Sequence, residues 1–251
     1  MLVKDTILSG VENYKYSIKI AETDEEVTSA LKLRYRVFGV ELKRPFQFKD
    51  GMDIDEYDDQ CHHLIVIHKE SSRIVGTYRL QTYEQAAKGY GFYTSKRFKI
   101  DQLPSHVLEN GFEVGRACIE DGHRNGRVLF LLWKGLAGYL EFFNKRYMFG
   151  YSALDTIEPG IALNTYTYLK KNNYLHAEYF IEVRDEYVCE ARKNSNYNGL
   201  VEVPPLLQNY LDVGTRICSM PACDLKSKLI HFFILLDIEK ISERTKKMFF
   251  G

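Results

Sequence analysis

Residues 112–143, FEVGRACIEDGHRNGRVLFLLWKGLAGYLEFF, constrain the fold more than any other stretch of the chain. Phe112 to Glu120 reads as a strand carrying Glu113 and Arg116. The polar, turn-rich Asp121-Gly122-His123-Arg124-Asn125-Gly126 follows. From Val128 the apolar residues Val128, Leu132, Leu136, Tyr139, Leu140 and Phe143 recur at helical spacing. A strand that passes into a helix through a basic glycine loop leaves backbone N–H groups aimed at the loop, which makes an anion site. Arg124 and Arg127 add positive charge there. The alternative is a turn with a purely structural part.

A chain of 251 residues suffices for one large domain or two small ones, and its 45% hydrophobic content supports a real core. Lys+Arg and Asp+Glu balance at 34 each, which argues against a whole-surface nucleic-acid binder. The five cysteines, Cys61, Cys118, Cys189, Cys218 and Cys223, are scattered and form no CxxC pair. With an N-terminus too polar for a secretion signal, a reducing cytoplasm is expected. The longest apolar run, Val128 to Phe143, is interrupted by Lys134 and Glu141 and is too short to span a bilayer. The basic-aromatic tail with Arg244, Lys246, Lys247, Met248, Phe249 and Phe250 reads either as a peripheral contact with anionic lipid or as a frayed helix end.

Taken in order, residues 1–16 form a lead-in and Tyr16 to Ala21 a first strand. Thr23 with a carboxylate three residues on is a capping-box signature, and it opens a helix from Glu26 to Val40. Arg34 shares the apolar stripe of that helix with Val27, Leu31 and Phe38. It either snorkels over the core edge or is a buried guanidinium awaiting a carboxylate. Six carboxylates (Asp50, Asp53, Asp55, Glu56, Asp58, Asp59) end the polar segment 41–59. Their spacing lacks a known calcium loop, so an internal arginine cluster or a cationic substrate is the better partner.

His63 to His68 and Arg73 to Thr82 read as an antiparallel hairpin, apolar on both faces and hence central in a sheet. Arg79 is the one charge in the apolar stretch of the second strand and must be paired, with the carboxylates of 50–59 or Glu113 as partners. His62-His63 is no metal pair, because adjacent strand residues face opposite sides, and no metal ligands are expected. Gln81 to Asn110 reads as a long, partly irregular connection, basic at Lys96, Arg97 and Lys99. It is either a solvated loop or a docking place for an acidic partner. Beyond the central unit come a buried strand at Arg146–Leu154 and a helix opened by Glu158-Pro159-Gly160 and running to Asn173. A strand at Tyr179–Val183, a polar loop at Glu190–Asn198, a helix from Pro204 to Arg216 and an apolar strand at Ile230–Ile238 complete the chain.

The segments LRYRVF (33–38), DIDEYDD (53–59), GTYRL (76–80), EVGRACI (113–119) and LLWKGLAGYL (131–140), in this order and spacing, resemble the ornithine N-acyltransferase family. The likeness continues through PPLLQNYLDVGTRICSMPACD (204–224) and FFILL (232–236). That family makes lyso-ornithine lipids from fatty acyl carrier protein; glycine-lipid and other long-chain N-acyl amino acid synthases are related. It looks like a branch of the GNAT fold and is similar to the acyl-homoserine-lactone synthases. The resemblance implies an α/β (α+β) fold with a mixed, mostly antiparallel central sheet flanked by helices. It implies one domain over 1–251, with a core at about 17–183 and a C-terminal helix-strand extension, 184–251, packed on it. The synthases' shared signature falls on Arg34, Phe38, Asp55, Asp58, Arg79, Glu113 and Arg116. Those synthases carry a tryptophan shortly after the phenylalanine, where this chain reads ELKRPF, and they lack the PPLL region. Both departures favour the N-acyl amino acid branch.

The implied reaction is attack of an amino acid's amine on a long-chain, plain or 3-hydroxylated, acyl thioester. The co-substrate is acyl carrier protein or acyl-coenzyme A; no cofactor is bound permanently. An α-amino group has a reference pKa near ~8 and is mostly protonated at pH 7, so a general base is needed. Glu113 is the candidate base, beside Arg116; the alternative is that it only pairs with Arg79 or Arg116. Gly115 suggests a bulge that frees a backbone N–H for the oxyanion. Arg34, Phe38, Asp55, Asp58 and Arg79 are expected to fix the polar substrate end and the loop above it, and the Arg124–Gly126–Arg127 loop to hold the donor's pantetheine or phosphate. Trp133, Tyr139, Phe149 and Tyr151 are candidates for lining an acyl tunnel, or else are core. A lyso-lipid product would be passed to a downstream O-acyltransferase. Two other readings remain open: a homoserine-lactone-type signal synthase consuming S-adenosylmethionine, and a non-catalytic acyl-lipid-binding module.

Overall fold

The computed structural model describes residues 13–190 and 199–250. The chain divides into two compact units: Met1–Tyr90 with Val114–Lys145 and Lys246–Gly251, and Gly91–Glu113 with Arg146–Thr245. Strand β4 (Gly111–Ile119) contributes residues to both. The eight strands form the expected mixed, mostly antiparallel sheet flanked by helices.

In the first unit the strand order is β1 (Tyr16–Ile20), β2 (His62–His68), β3 (Arg73–Thr82), β4. β1 and β2 are antiparallel in the register Tyr16↔His68, and β2 and β3 form the expected hairpin with a shift between Val66 and Ile67. Nine consecutive residues of β3 are buried, as a strand apolar on both faces should be. Helix α1 (Asp24–Arg34) starts where Thr23 accepts from Glu26 N and the Glu26 carboxylate accepts from Glu22 N. It does not run regularly to Val40: residues Tyr35–Glu41 continue it as a π-helix, a form that concentrates at functional sites. Helix α2 (Tyr83–Lys88) carries a complete capping box from Thr82 and Gln85.

Helix α4 (Arg127–Phe142) lies against the sheet of this unit through two glycines. A Cβ at Gly135 would come within 2.6 Å of Ile18 Cδ1, and one at Gly76 within 2.8 Å of Val128 Cγ1. Two of the tunnel candidates are core here. Tyr139 is 0% exposed, its hydroxyl 2.9 Å from His62 Nδ1, and Trp133 stacks on Phe249 with ring centroids 5.3 Å apart. The C-terminal tail is therefore an ordered helix, α7 (Glu243–Phe250), whose Phe249 is tied to α4.

In the second unit β4 is followed in sheet order by β5 (Tyr147–Leu154), β8 (Leu229–Asp237) and β6 (Arg216–Ile217), and β7 (Ala222–Asp224) also pairs with β8. β5 and β8 are antiparallel from Tyr147↔Asp237 to Leu154↔Ile230. All nine residues of β8 are buried, so this strand of the expected C-terminal extension lies inside the sheet. Helix α5 (Pro159–Lys171) has its proline in the first turn, and α6 (Pro205–Asp212) ends earlier than the Arg216 expected.

Three expectations are corrected in this unit. The basic connection 91–110 is not a solvated loop. It is two 3₁₀ turns, Tyr93–Lys96 and Ile100–Gln102, and a short helix, α3 (Ser105–Glu109). Phe92, Thr94, Phe98, Ile100, Leu103 and Val107 are buried there, and Lys99 bonds Glu182 at 2.7 Å. The burial of these aromatic and aliphatic side chains outweighs the polar composition that suggested a docking loop. Tyr179–Val183 is no strand and makes only isolated bridges, Ile181↔Ser219 and Phe98↔Val183. Cys189 and Cys223 form a disulfide across 34 residues, which no local spacing announces and which the expected reducing compartment did not foresee; Cys61, Cys118 and Cys218 form no disulfide among the described residues. Most of the loop expected at 190–198, and the lead-in through residue 12, lie outside the described residues. Among the described residues no helix is long and apolar enough to cross a membrane.

Candidate active site

The first unit holds a largely buried network of three guanidinium groups and three carboxylates. Arg34 reaches Asp53 through Nε at 2.8 Å and grips Asp58 with Nη1 and Nη2 at 2.7 and 3.2 Å. Arg79 Nη1 donates to Asp55 at 2.6 Å and to Asp58 at 3.1 Å. Arg116 Nη2 donates to Asp55 at 3.1 Å, while its Nε sits 3.1 Å from Asp53 as an ion-pair contact without hydrogen-bond alignment. The acidic run thus finds an internal arginine cluster, as a buried charge must. Burial pushes the Asp58 carboxyl up, but the charges of Arg34 and Arg79 outweigh this and hold it well below the usual range.

The residues of the network differ in exposure. Arg34 is 0% exposed with all three nitrogens on carboxylates, and it fastens the 53–58 segment to α1. Asp58 and Arg79 are also buried. Arg116 and Asp55, with 13% and 16% of their side chains exposed, form the open edge of the network. Phe38 packs against the core formed by α1, β2 and β3 and meets Phe46 edge-on at 6.0 Å; Arg116 lies over the Phe46 ring at 5.4 Å. Asp53, named in the acidic run but not among the candidate site residues, is also engaged, accepting from Arg34 Nε and lying beside Arg116 Nε.

In β4 the backbone turns left-handed at Arg116, with φ 51°. Gly115 was the residue expected to mark the irregularity, and it sits immediately before. Nothing lies within 4 Å of a Cβ built on Gly115. A non-glycine residue in the left-handed region costs roughly 1–2 kcal/mol, and such strain gathers where function requires it.

Glu113 belongs to the second unit. Its Oε2 accepts from Tyr93 N at 2.8 Å, and its Oε1 accepts from Thr94 N at 2.6 Å and from the Thr94 hydroxyl. The carboxylate is buried and both oxygens are fixed by the 3₁₀ turn that follows Phe92. At the end of the same turn Arg97 pairs with Asp224. Neither Thr94 nor Asp224 carried a sequence signal.

In the 121–126 loop, Arg124 grips Glu41 at 2.5 and 2.7 Å and donates to Ile119 O at 3.0 Å, so its charge is already used to brace the loop. Gly126, at φ 79°, is the N-cap of α4 and supplies no side-chain cap. Arg127 opens the helix, and no acidic residue follows in its first turn. His62 and His63 bond separate partners, Tyr139 and the Asp58 carbonyl.

Residues 33–134 match the family model for the acetyltransferase (GNAT) domain, a span that holds the candidate residues from Arg34 to Arg127 but not the tunnel candidates Tyr139, Phe149 and Tyr151. The chain is an acyltransferase with a GNAT-like fold. It is 29% identical over 243 residues to the L-ornithine N(alpha)-acyltransferase of Brucella abortus (strain 2308), covering 90% of this chain and 86% of that one. It is 29% identical over 248 residues to the protein of the same name from Rhizobium meliloti (strain 1021), covering 90% and 81%. An acyl-homoserine-lactone synthase of Vibrio anguillarum is 30% identical over 99 residues, 33% of this chain and 51% of that one. In fold, the chain is similar to the coenzyme-A-dependent acyl-homoserine-lactone synthase BjaI, with TM-score 0.54, 14% identity and coverage of 90% and 81%. The synthase LasI gives TM-score 0.51 at 13% identity, covering 94% and 95%.

Proposed function

We propose that the chain transfers a long-chain acyl group from an acyl carrier protein thioester to the amine of an amino acid, ornithine first among candidates, giving an N-acyl amino acid. Similarity to L-ornithine N(alpha)-acyltransferases along 90% of the chain carries this reading. The amine must lose a proton as it attacks the thioester carbonyl. Glu113 accepts that proton, directly or through one water, from a position fixed by Tyr93 and Thr94. The tetrahedral oxyanion is met by backbone N–H at the left-handed turn of β4 beside Gly115, and collapse expels the carrier thiol. No covalent enzyme intermediate is required. Asp55 and Arg116 are the members of the charged network that a polar acceptor can meet; Arg34, Arg79, Asp53 and Asp58 hold them in place, and Phe38 braces the aromatic group beneath Arg116. Arg127 and the first turn of α4, where Asn125 Oδ1 accepts from Arg127 N, hold the donor's phosphopantetheine, with Gly126 giving the backbone its approach and Arg124 held by Glu41 as a brace.

The test is thiol release from plain and 3-hydroxylated acyl carrier protein, and from acyl-coenzyme A, against a panel of amino acids, with product masses recorded. Release with ornithine and a product heavier by one acyl group is the expected result. Release only with S-adenosylmethionine, with a lactone product, would replace this reading by that of a signal synthase. Acyl-chain binding without release would replace it by a lipid-binding module.

A further inference from the structure

We infer that Arg97 is the group that recognises the carboxylate of the acceptor amino acid; this rests on the reading of the chain as an amino-acid N-acyltransferase. The Arg97 side chain is 9% exposed. Its Nε donates to Asp224 Oδ2 at 3.0 Å, and Nη2 donates to the same oxygen. The other Asp224 oxygen is taken: Oδ1 accepts from Lys226 N at 3.0 Å and from Ser227 N at 3.1 Å, closing the turn after β7. Asp224 therefore has nothing left for the third nitrogen. Nη1 is buried and has no hydrogen-bond partner among the described residues. Buried guanidinium N–H groups are ordinarily paired, so this donor is suited to an incoming acceptor.

The surroundings select what that acceptor is. The guanidinium lies 5.3 Å from the ring centroid of Tyr151, 5.6 Å from that of Tyr93 and 5.6 Å from that of Tyr187. Beside these faces Nη1 is a planar, charge-assisted donor, and such a donor bonds a carboxylate oxygen more strongly than a neutral acceptor. Position supplies the second argument. Arg97 closes the 3₁₀ turn whose first residues hold Glu113: Tyr93 N and Thr94 N donate to that carboxylate, and Arg97 N donates to Thr94 O at 3.1 Å. In an α-amino acid the amine and the carboxylate share one carbon. One short turn thus carries both the group that fixes the base and the group that would orient the acceptor about its reacting nitrogen. The competing occupant of Nη1 is a carbonyl of the thioester donor.

The experiment compares three acceptors in steady-state acyl transfer: L-ornithine, L-ornithinamide and 1,4-diaminobutane, which keeps the amines and lacks the carboxylate. Arg97→Gln is made together with Asp224→Asn so that no buried carboxylate is left unpaired, and Arg97→Lys is the second variant, with thermal melting as the check on folding. The double variant is expected to raise the KM for L-ornithine roughly 10- to 100-fold, the range for one lost charge-assisted hydrogen bond, with kcat within about threefold. The KM for the diamine is expected to change far less than that for L-ornithine, with the amide, whose carbonyl still accepts a neutral hydrogen bond, in between, and Arg97→Lys to recover part of the L-ornithine affinity. Equal losses with all three acceptors, or a rise in the thioester KM instead, would overturn the inference while leaving the proposed function standing. No thiol release from the wild-type chain with any amino acid would overturn the proposed function itself.

Discussion

Glu113 is held by three donors, and the same contacts that fit it to act as a base complicate its removal. In Glu113→Gln the new amide nitrogen faces an N–H or O–H group now bonded to the carboxylate, so some stability is lost, about 1–3 kcal/mol. Turnover is expected to fall by roughly 10²–10⁴, the range for a missing general base, with acceptor KM little changed. Thr94→Val separates the two effects: it removes the hydroxyl donor, lowers the melting temperature, and leaves turnover within about tenfold because the carboxylate remains. An equal collapse of turnover in both variants would demote Glu113 from base to positioning residue. At this scale the sequence pointed to the partners of Arg79 and of the acidic run, but not to those of Glu113 or Arg97. Arg79 stood out because a lone charge in an apolar strand must be paired, and Arg34 because it fell on an apolar helix face. Asp224 could not be matched to Arg97 at a separation of 127 positions, and Thr94 looked like any polar residue in a connection.

Strand β4 concentrates the irregular backbone of the site. Gly115 needs no glycine for its conformation, because its φ is not among the positive values, nor for packing, because a Cβ there would meet open space. The remaining reason is close approach by something the chain binds. Gly115→Ala is therefore expected to leave the melting temperature unchanged or slightly raised, since loss of glycine at a permissive position stabilises by about 0.4–1 kcal/mol. It is also expected to lower kcat/KM for the acyl thioester by about tenfold or more, because a methyl group displaces the reacting carbonyl. Normal activity in a stable Gly115→Ala protein would remove this stretch of β4 from the donor site. The elements themselves were legible where periodicity was strong: β3, α4 and β8 follow from continuous or helical apolar patterns. They were not legible in 91–110, where short turns too brief to show a period bury Phe92, Phe98 and Leu103. Nor was the π-helix after Arg34, because one widened turn leaves the apolar spacing nearly intact.

At the scale of the whole molecule, formal charges cancel at 34 of each sign at pH 7, and as pH falls particular buried groups add their own losses of stability to those from the growing positive charge. Two such groups act in separate windows. His63 is buried in β2, with Nε2 3.3 Å from the Asp58 carbonyl. Burial, with the charges of Arg34 and Arg79, pushes its pKa down from 6.5 to about 4, against the opposing pull of Asp58. Between these values the unfolded chain holds a proton that the folded one does not. Stability therefore rises with pH through this window and is lost as pH falls from 6.5 towards 4, by about 3 kcal/mol in all. Asp58, held low by Arg34 and Arg79, gives stability that is present above its ordinary pKa of 3.8 and is lost only below it. Urea unfolding measured from pH 7.5 down to pH 3 is expected to show a first loss of stability below pH 6.5 and a second below about pH 4. His63→Gln, which cannot titrate, is expected to flatten the first and keep the second. If the slope between pH 6.5 and 4 survives in His63→Gln, the titrating group lies elsewhere, and the charged network that surrounds His63 is not what couples this fold to pH.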